Sequence, residues 1–232
     1  MSPRPRVAPQ RRQQIVDALF RCMARKGYAP VSISDIAAEA RLARGAINFF
    51  FRSKDEILRA LLERAIADYR AVLRPILENG GPADTQLRAA FEVLLAPTPA
   101  ARETMLVFLN YYALAPGNFA LAPLLRDFFR AYRRFFALIL RRGIRQGCYP
   151  RSADPDQVAA VLVAAVEGLL IQWVTSPKTV DPLKAVACLE RMLGAPAAGR
   201  PAARPPGRPQ GPPDRSSPIG QDAGAGRPAK PR

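Results

Sequence analysis

The stretch IVDALFRCMARKGYAPVSISDIAAEARLARGAINFFFRSKDEIL, Ile15 to Leu58, decides the fold. Ile15, Leu19, Cys22 and Met23 recur at i, i+4, i+7 and i+8, which is one face of an α-helix. That helix is expected from about Pro9, tolerated in a first turn where its missing N–H costs nothing, to Lys26. Gly27 then supplies the left-handed residue that ends helices. Ser32-Ile33-Ser34-Asp35 has the spacing of a capping box, so a second, short helix opens at Ser32 and ends near Arg41. Leu42-Ala43-Arg44 reads as a tight turn and Ala46 to Phe51 as a third helix. Ser53-Lys54-Asp55-Glu56 repeats the capping-box pattern and starts a long fourth helix, which ends near Leu73 or runs past Pro75. Two short helices across a tight turn are the pattern of a helix-turn-helix.

Outward from this stretch the sequence stays helical. Further helices are expected over about 84–95, 100–113, 121–146, 156–175 and 182–193, with prolines near their boundaries. Asp154 is placed to cap one of them, with Pro155 in its first turn. Period-2 strand patterns are absent, so the fold class is all-α. Three regions follow: residues 9–69 with the helix-turn-helix (about 32–51) as the DNA-binding candidate, a longer helical domain over 70–193, and a tail over 194–232. The tail is Pro, Gly, Ala and Arg with almost no large apolar side chain, a composition that favours disorder.

Charge narrows the function. The chain of 232 residues carries 35 Lys and Arg against 19 Asp and Glu, a net of +16, and has no histidine. Such a cation seeks phosphate, an anionic surface or an acidic partner. The tail holds only part of the excess. Histidine, the commonest general base, is missing, and no nucleophile elbow, phosphate-cradling glycine loop or metal-ligand spacing occurs, which argues against an enzyme and against a cofactor or metal. Cys22 and Cys188 sit among apolar residues at helical spacing and are expected as buried, reduced thiols. The N-terminus has no apolar signal segment. Val158 to Val174 is apolar but short for a membrane span, and reads as a buried helix. A soluble cytoplasmic protein with no membrane partner is expected, associated with the nucleoid when bound to DNA.

The wording of the helix-turn-helix resembles the DNA-binding domain of the TetR family. The matching residues are Ile15-Val16, Ala18, Met23, Gly27-Tyr28, Ser32, Asp35-Ile36-Ala37, Ala40, Gly45, Phe51, Ser53-Lys54-Asp55 and Leu58. They span about the first quarter of the chain. Arg141–Pro150 (RRGIRQGCYP) and Ala164–Trp173 (AAVEGLLIQW) are similar to the betaine-type repressor branch. The resemblance implies a recognition helix in the major groove, presented twice by a homodimer to a palindromic operator in double-stranded DNA. Carried over by position, Arg44, Ala46, Asn48 and Phe49 face the DNA, with Asn48 suited to adenine and Arg44 to guanine or phosphate. Ser32 or Ser34 donates to the backbone, Lys54 meets a phosphate, and Arg4, Arg6, Arg11 and Arg12 track the adjacent groove. The chain departs from the family where Arg41 stands for a frequent glycine, Ala43 for a hydroxyl cap and Asn48 for an aromatic. Of Phe49, Phe50 and Phe51, Phe51 is expected in the core.

The resemblance further implies a pocket for a small-molecule inducer, of unknown identity, in the helical half. Tyr111, Glu167, Gln172 and Trp173 are the candidate lining. Glu167 is expensive to bury alone, so it pairs with an arginine, faces a wet pocket or sits at a subunit boundary. An acid in a pocket favours a cationic or hydrogen-bond-donating ligand. Phe128–Arg142 and Val158–Val174 are the expected dimer helices. The function read from the sequence is a ligand-responsive transcriptional repressor. The competing reading is a non-specific architectural nucleic-acid-binding protein, which the basic tail also suits.

Overall fold

The computed structural model describes residues 7–151 and 154–194. Among these the chain forms α1 (Val7–Lys26), α2 (Ile33–Ala40), α3 (Arg44–Phe50), α4 (Lys54–Glu78), α5 (Ala83–Leu94), α6 (Pro99–Leu114), α7 (Leu121–Gln146), α8 (Pro155–Thr175) and α9 (Pro182–Met192), with a 3-10 turn at Ala115–Gly117. No strand occurs among the described residues, as the all-α reading requires. The tail from residue 195, and Arg4 and Arg6, lie outside them.

The predicted faces are the buried ones. Ile15, Leu19, Cys22 and Met23 turn inward on α1, which packs on α2 and α4. Gly27 takes φ 73 beyond the end of α1. The capping box at Ser32 is complete: its side chain accepts from the Asp35 amide, and the Asp35 carboxylate accepts from the Ser32 amide. The second box differs from its expected form. Ser53 accepts from the Glu56 amide at 3.1 Å, but Glu56 reaches one residue further back, to the amide of Arg52 at 2.8 Å. One boundary moves, and of the two ends offered for α4 the later one holds. Arg44 is the first residue of α3 rather than part of the turn, and α4 continues through Pro75 to Glu78.

One further expectation fails on helical phase, and one holds for a single face only in the lone chain. Cys22 is buried, but Cys188 is exposed. The inward face of α9 is Pro182 and Val186, one turn apart, and Cys188 lies two residues beyond, on the far side. The Arg191 guanidinium donates to its sulfur at 3.1 Å. Helix α8 is not buried all round. Ala159, Leu162, Val163 and Val166 pack inward, while Val161 and Ile171 are exposed. Its composition is apolar enough for a membrane span, yet one side rests on α7, its main neighbour.

Polar side chains lock the body helices together. Gln86 is buried; it donates to the carbonyl of Ile76 at 2.6 Å and accepts from Arg142 at 2.8 Å, joining α4, α5 and α7. Gln146 accepts from the amide of Ala83 at 2.8 Å, capping α5 from a distance. Gly143 is required by closeness. A Cβ built there would stand 2.2 Å from Cδ2 of Tyr149 and 3.1 Å from Cβ of Ala83. Alanine normally favours a helix interior by about 1 kcal/mol over glycine. Here Gly143→Ala is expected to reverse that sign and lower the melting temperature by several degrees, because overpacking costs about 1–3 kcal/mol; calorimetry checks it.

Candidate nucleic-acid interface and ligand cavity

Helix α3 divides its side chains by its own period. Ile47 and the following Phe51 are buried, while Arg44, Asn48 and Phe49 are exposed and Ala46 is half-buried. Arg44 and Asn48 are one turn apart and therefore share a face. Phe49 is 71% exposed, an unusual position for a large apolar ring on a domain with a good core. Its edge meets Phe50 at 5.0 Å between centroids, and Phe50 packs against the core. The triple phenylalanine thus resolves into one core ring, one boundary ring and one outward ring. Ala43 offers no side-chain cap to α3, which leaves out about 1 kcal/mol of helix stabilisation.

That stabilisation is supplied from behind. The Arg12 guanidinium donates to the carbonyl of Phe50 at 2.5 Å and lies 4.1 Å from the centroid of the Phe51 ring. Gln14 donates to the carbonyl of Ala40 at 2.6 Å, holding the end of α2. Glu39 accepts from Arg21 at 2.6 Å and Arg25 at 2.5 Å, and hydrogen bonds from these two arginines keep its carboxyl below the usual range. Helix α1 is therefore the beam on which both helices of the motif hang.

Three residues expected at the DNA also make bonds within the fold, Arg12 and Ser32 while exposed and Lys54 while half-buried. Arg12 bonds the α3 C-terminus and stays exposed. The Lys54 ammonium donates to the carbonyls of Val31 at 2.9 Å and Tyr28 at 3.2 Å and sits 4.0 Å over the Tyr28 ring. It clamps the turn before α2, and the Tyr28 hydroxyl in turn donates to Asp55. The Ser32 hydroxyl donates to the Asp35 carboxylate at 2.6 Å. This bond, with that from the Ser32 amide and the nearby Lys26, holds the Asp35 carboxyl far below the usual range. These partners lie far apart in sequence or depend on a hydroxyl rotor, so spacing alone does not reveal them. Ser34 is exposed, and Arg11 is exposed with one bond to Gln14 at 2.8 Å.

In the body, a cavity of about 330 Å³ opens between α4, α5, α6, α7 and α8, with Phe20 of α1 in its wall. Its rings include Tyr69, Phe108, Tyr112 and Phe128, and its charged groups are Arg64, Asp68 and Glu167. Glu167 accepts a hydrogen bond from the Tyr112 hydroxyl at 2.6 Å. Burial raises its pKa above the ordinary 4.5, opposed by that bond. No basic side chain pairs with it among the described residues. The other three candidates lie elsewhere. The hydroxyl of Tyr111 is committed to the carbonyl of Leu58 at 2.8 Å, tying α6 to α4. Trp173 is buried outside the cavity wall, and Gln172 is exposed. Tyr112, overlooked for its neighbour, shares a face with Phe108 at i+4, and that spacing was the available signal. Arg64 connects cavity and head: it donates to Asp17 of α1.

Comparisons with known proteins agree with this architecture. Residues 15–61 match the bacterial regulatory proteins of the tetR family, and residues 82–196 match the C-terminal domain of BetI-type transcriptional repressors. The HTH-type transcriptional regulator BetI of Brucella melitensis is 22% identical over 201 residues, covering 87% of this chain and 98% of the relative. The regulator TtgR of Pseudomonas putida is 24% identical over 180 residues, covering 76% and 86%. A solved transcriptional regulator from Saccharomonospora viridis, in complex with choline, superposes with a TM-score of 0.74 at 28% identity, over 80% of this chain and 96% of that one. A transcriptional regulator from Rhodococcus sp. Rha1 gives 0.70 at 25% identity, over 79% and 97%. With the outward-facing helix α3 on a braced helix-turn-helix, and family matches over residues 15–61 and 82–196, the chain belongs to the TetR family of DNA-binding transcription regulators.

Proposed function

We propose that this regulator is a homodimeric repressor that binds a palindromic operator and releases it when a small cation occupies the cavity. Residues 9–69 read the DNA, and residues 70–193 hold the ligand and the dimer contact, in the cytoplasm at the nucleoid. The observation that carries the DNA reading is the outward set Arg44, Asn48 and Phe49 on a helix whose opposite side is core. One such helix reads few base pairs, and a symmetric pair reads two half-sites about one helical turn apart. The surface that fits a second copy is the uncovered apolar side of α8 with Leu138 of α7, where Val161 is 66% exposed. Ala164 and Gly168 on that helix permit close backbone approach.

The ligand reading rests on Glu167, a mostly buried carboxylate without a cationic partner, set among aromatic rings. Aromatic faces and a carboxylate together favour an ammonium group. The choline held by the Saccharomonospora relative makes choline the first probe. Selection from random duplexes is expected to return an inverted repeat, protected by a dimer in footprinting. Choline or a larger quaternary ammonium is expected to raise the melting temperature and weaken that protection. Sequence-blind binding with a steep salt dependence would instead identify an architectural protein. A cation that binds the cavity without changing operator affinity would remove the regulatory half of the proposal, since a ligand shifts a population only through differential affinity.

A further inference from the structure

We propose that Arg41, in the turn between α2 and α3, is a DNA-backbone anchor that the fold carries at the expense of its own stability. Arg41 has φ 53 and ψ 44. Every other described residue with positive φ is a glycine. The left-handed region is disfavoured for residues with a Cβ and open to glycine, which is why glycine dominates helix ends of this shape. The turn does need this backbone conformation. The Arg41 amide donates to the carbonyl of Ala38 at 3.1 Å and the Leu42 amide to that of Ala37 at 2.9 Å, closing α2 and aiming the chain into α3. Glycine would provide the same closure without strain.

The side chain returns nothing to the fold that offsets this cost. It is exposed and, among the described residues, forms no hydrogen bond or ion pair. The nearest acid on α2, Glu39, is already held by Arg21 and Arg25. Arg44, three residues on, is likewise exposed, so the turn and the first turn of α3 present two guanidinium groups beside the outward face of the recognition helix. Strain retained at an exposed position with no internal hydrogen bond or ion pair points to an external partner. The planar guanidinium fork matches phosphate oxygens. Because Arg41 precedes α3 rather than lying on its probing face, the partner is the phosphate backbone and not a base edge.

This rests on the family's DNA binding and adds a contact to it. Three variants separate charge from strain: Arg41→Gly, Arg41→Gln and Arg41→Lys. Each is measured by thermal melting and by the salt dependence of affinity for a selected operator, read by fluorescence anisotropy. Arg41→Gly is expected to melt about 2–4 °C higher. It should also lose about 0.9 from the slope of log K against log salt for each protomer bound. Arg41→Gln should lose the same slope without the gain in melting temperature, and Arg41→Lys should keep the slope. The ranking of operator sequences should stay as in the parent. An unchanged slope in both the Gly and Gln variants overturns the proposal, and so does an altered ranking, which would make Arg41 a base reader. If the parent binds DNA without sequence preference but the Gln variant still loses slope, the anchor stands and the operator reading falls. If the parent binds no duplex, both fall.

Discussion

Asn48→Ala is expected to weaken binding to the selected operator by about ten- to hundredfold per half-site contact, while binding to random duplex stays nearly constant. The asymmetry is the informative part. A carboxamide that donates to and accepts from an adenine edge is worth about 1–3 kcal/mol of discrimination and contributes little to general attraction. Asn48 is exposed and stands beside Ile47, which is fully buried, so removal of the amide leaves the packing of α3 intact and the melting temperature unchanged. Arg44→Ala distinguishes its two possible partners by the same comparison. A guanine contact relaxes one operator position, whereas a phosphate contact weakens all sequences alike and flattens the salt slope by about 1. Selection repeated with the Asn48 variant is the decisive measurement. An unchanged consensus and unchanged affinity would mean that the recognition surface lies elsewhere.

The braced geometry explains how a seven-residue helix can serve as the proposed probe. Alone, a helix this short is far below the length that is stable in water. Here Ile47 and Phe51 fasten one side to the core, and Arg12 satisfies the carbonyl of Phe50 at its end. The outward residues are consequently free of structural duty, and Phe49 can remain exposed. Arg12 thus holds the end of the helix from α1, whatever else its exposed guanidinium meets.

These roles mark the limit of what spacing reveals. The α1 face, the complete box at Ser32 and Asp35, and the helical body were legible because each depends on neighbours within a turn or two of sequence. The duties of Arg12, Lys54 and Tyr111 were not, because each long side chain meets a backbone carbonyl between 23 and 53 residues away. An arginine or lysine on a basic domain reads as a phosphate ligand, and spacing does not disclose that it also holds a distant carbonyl. The half-exposure of α8 was hidden for a different reason. A helix apolar on all sides has the same composition whether its second face meets its own chain or a partner. Cys188 failed on phase alone, two residues from the inward face at Val186. The cavity was legible in kind rather than in detail: Glu167 stood out as the lone acid of an apolar helix, whereas Phe20, Arg64 and Asp68 reach it from helices assigned to other tasks.

Glu167→Gln is expected to lower affinity for choline or a related quaternary ammonium by about ten- to hundredfold, the range for losing a charge-assisted contact in a largely buried site. Two pH dependences distinguish this from simple loss of shape, since glutamine preserves size and can still accept from Tyr112. Burial raises the folded-state pKa of Glu167 above the unfolded value near 4.5. The folded protein therefore binds this proton more tightly than the unfolded chain does. Below the unfolded pKa both states are protonated and the residue costs nothing. As pH rises through the interval up to the folded pKa, the unfolded chain ionises first and the residue's contribution moves against folding, after which it is constant. The stability advantage of Glu167→Gln over the parent should thus grow from acidic to neutral pH and then level off. Cation binding runs in the opposite direction, because only the ionised carboxylate attracts an ammonium group. Parent affinity should rise with pH through the same interval, and the variant's should stay flat. Calorimetric titration of both proteins from about pH 5 to about pH 8, spanning carboxylate pKa values raised by burial, tests the pair of slopes together. A parent whose affinity ignores pH, or a glutamine variant that binds as tightly as the parent, would separate the ligand from Glu167. The carboxylate would then serve only to hold Tyr112.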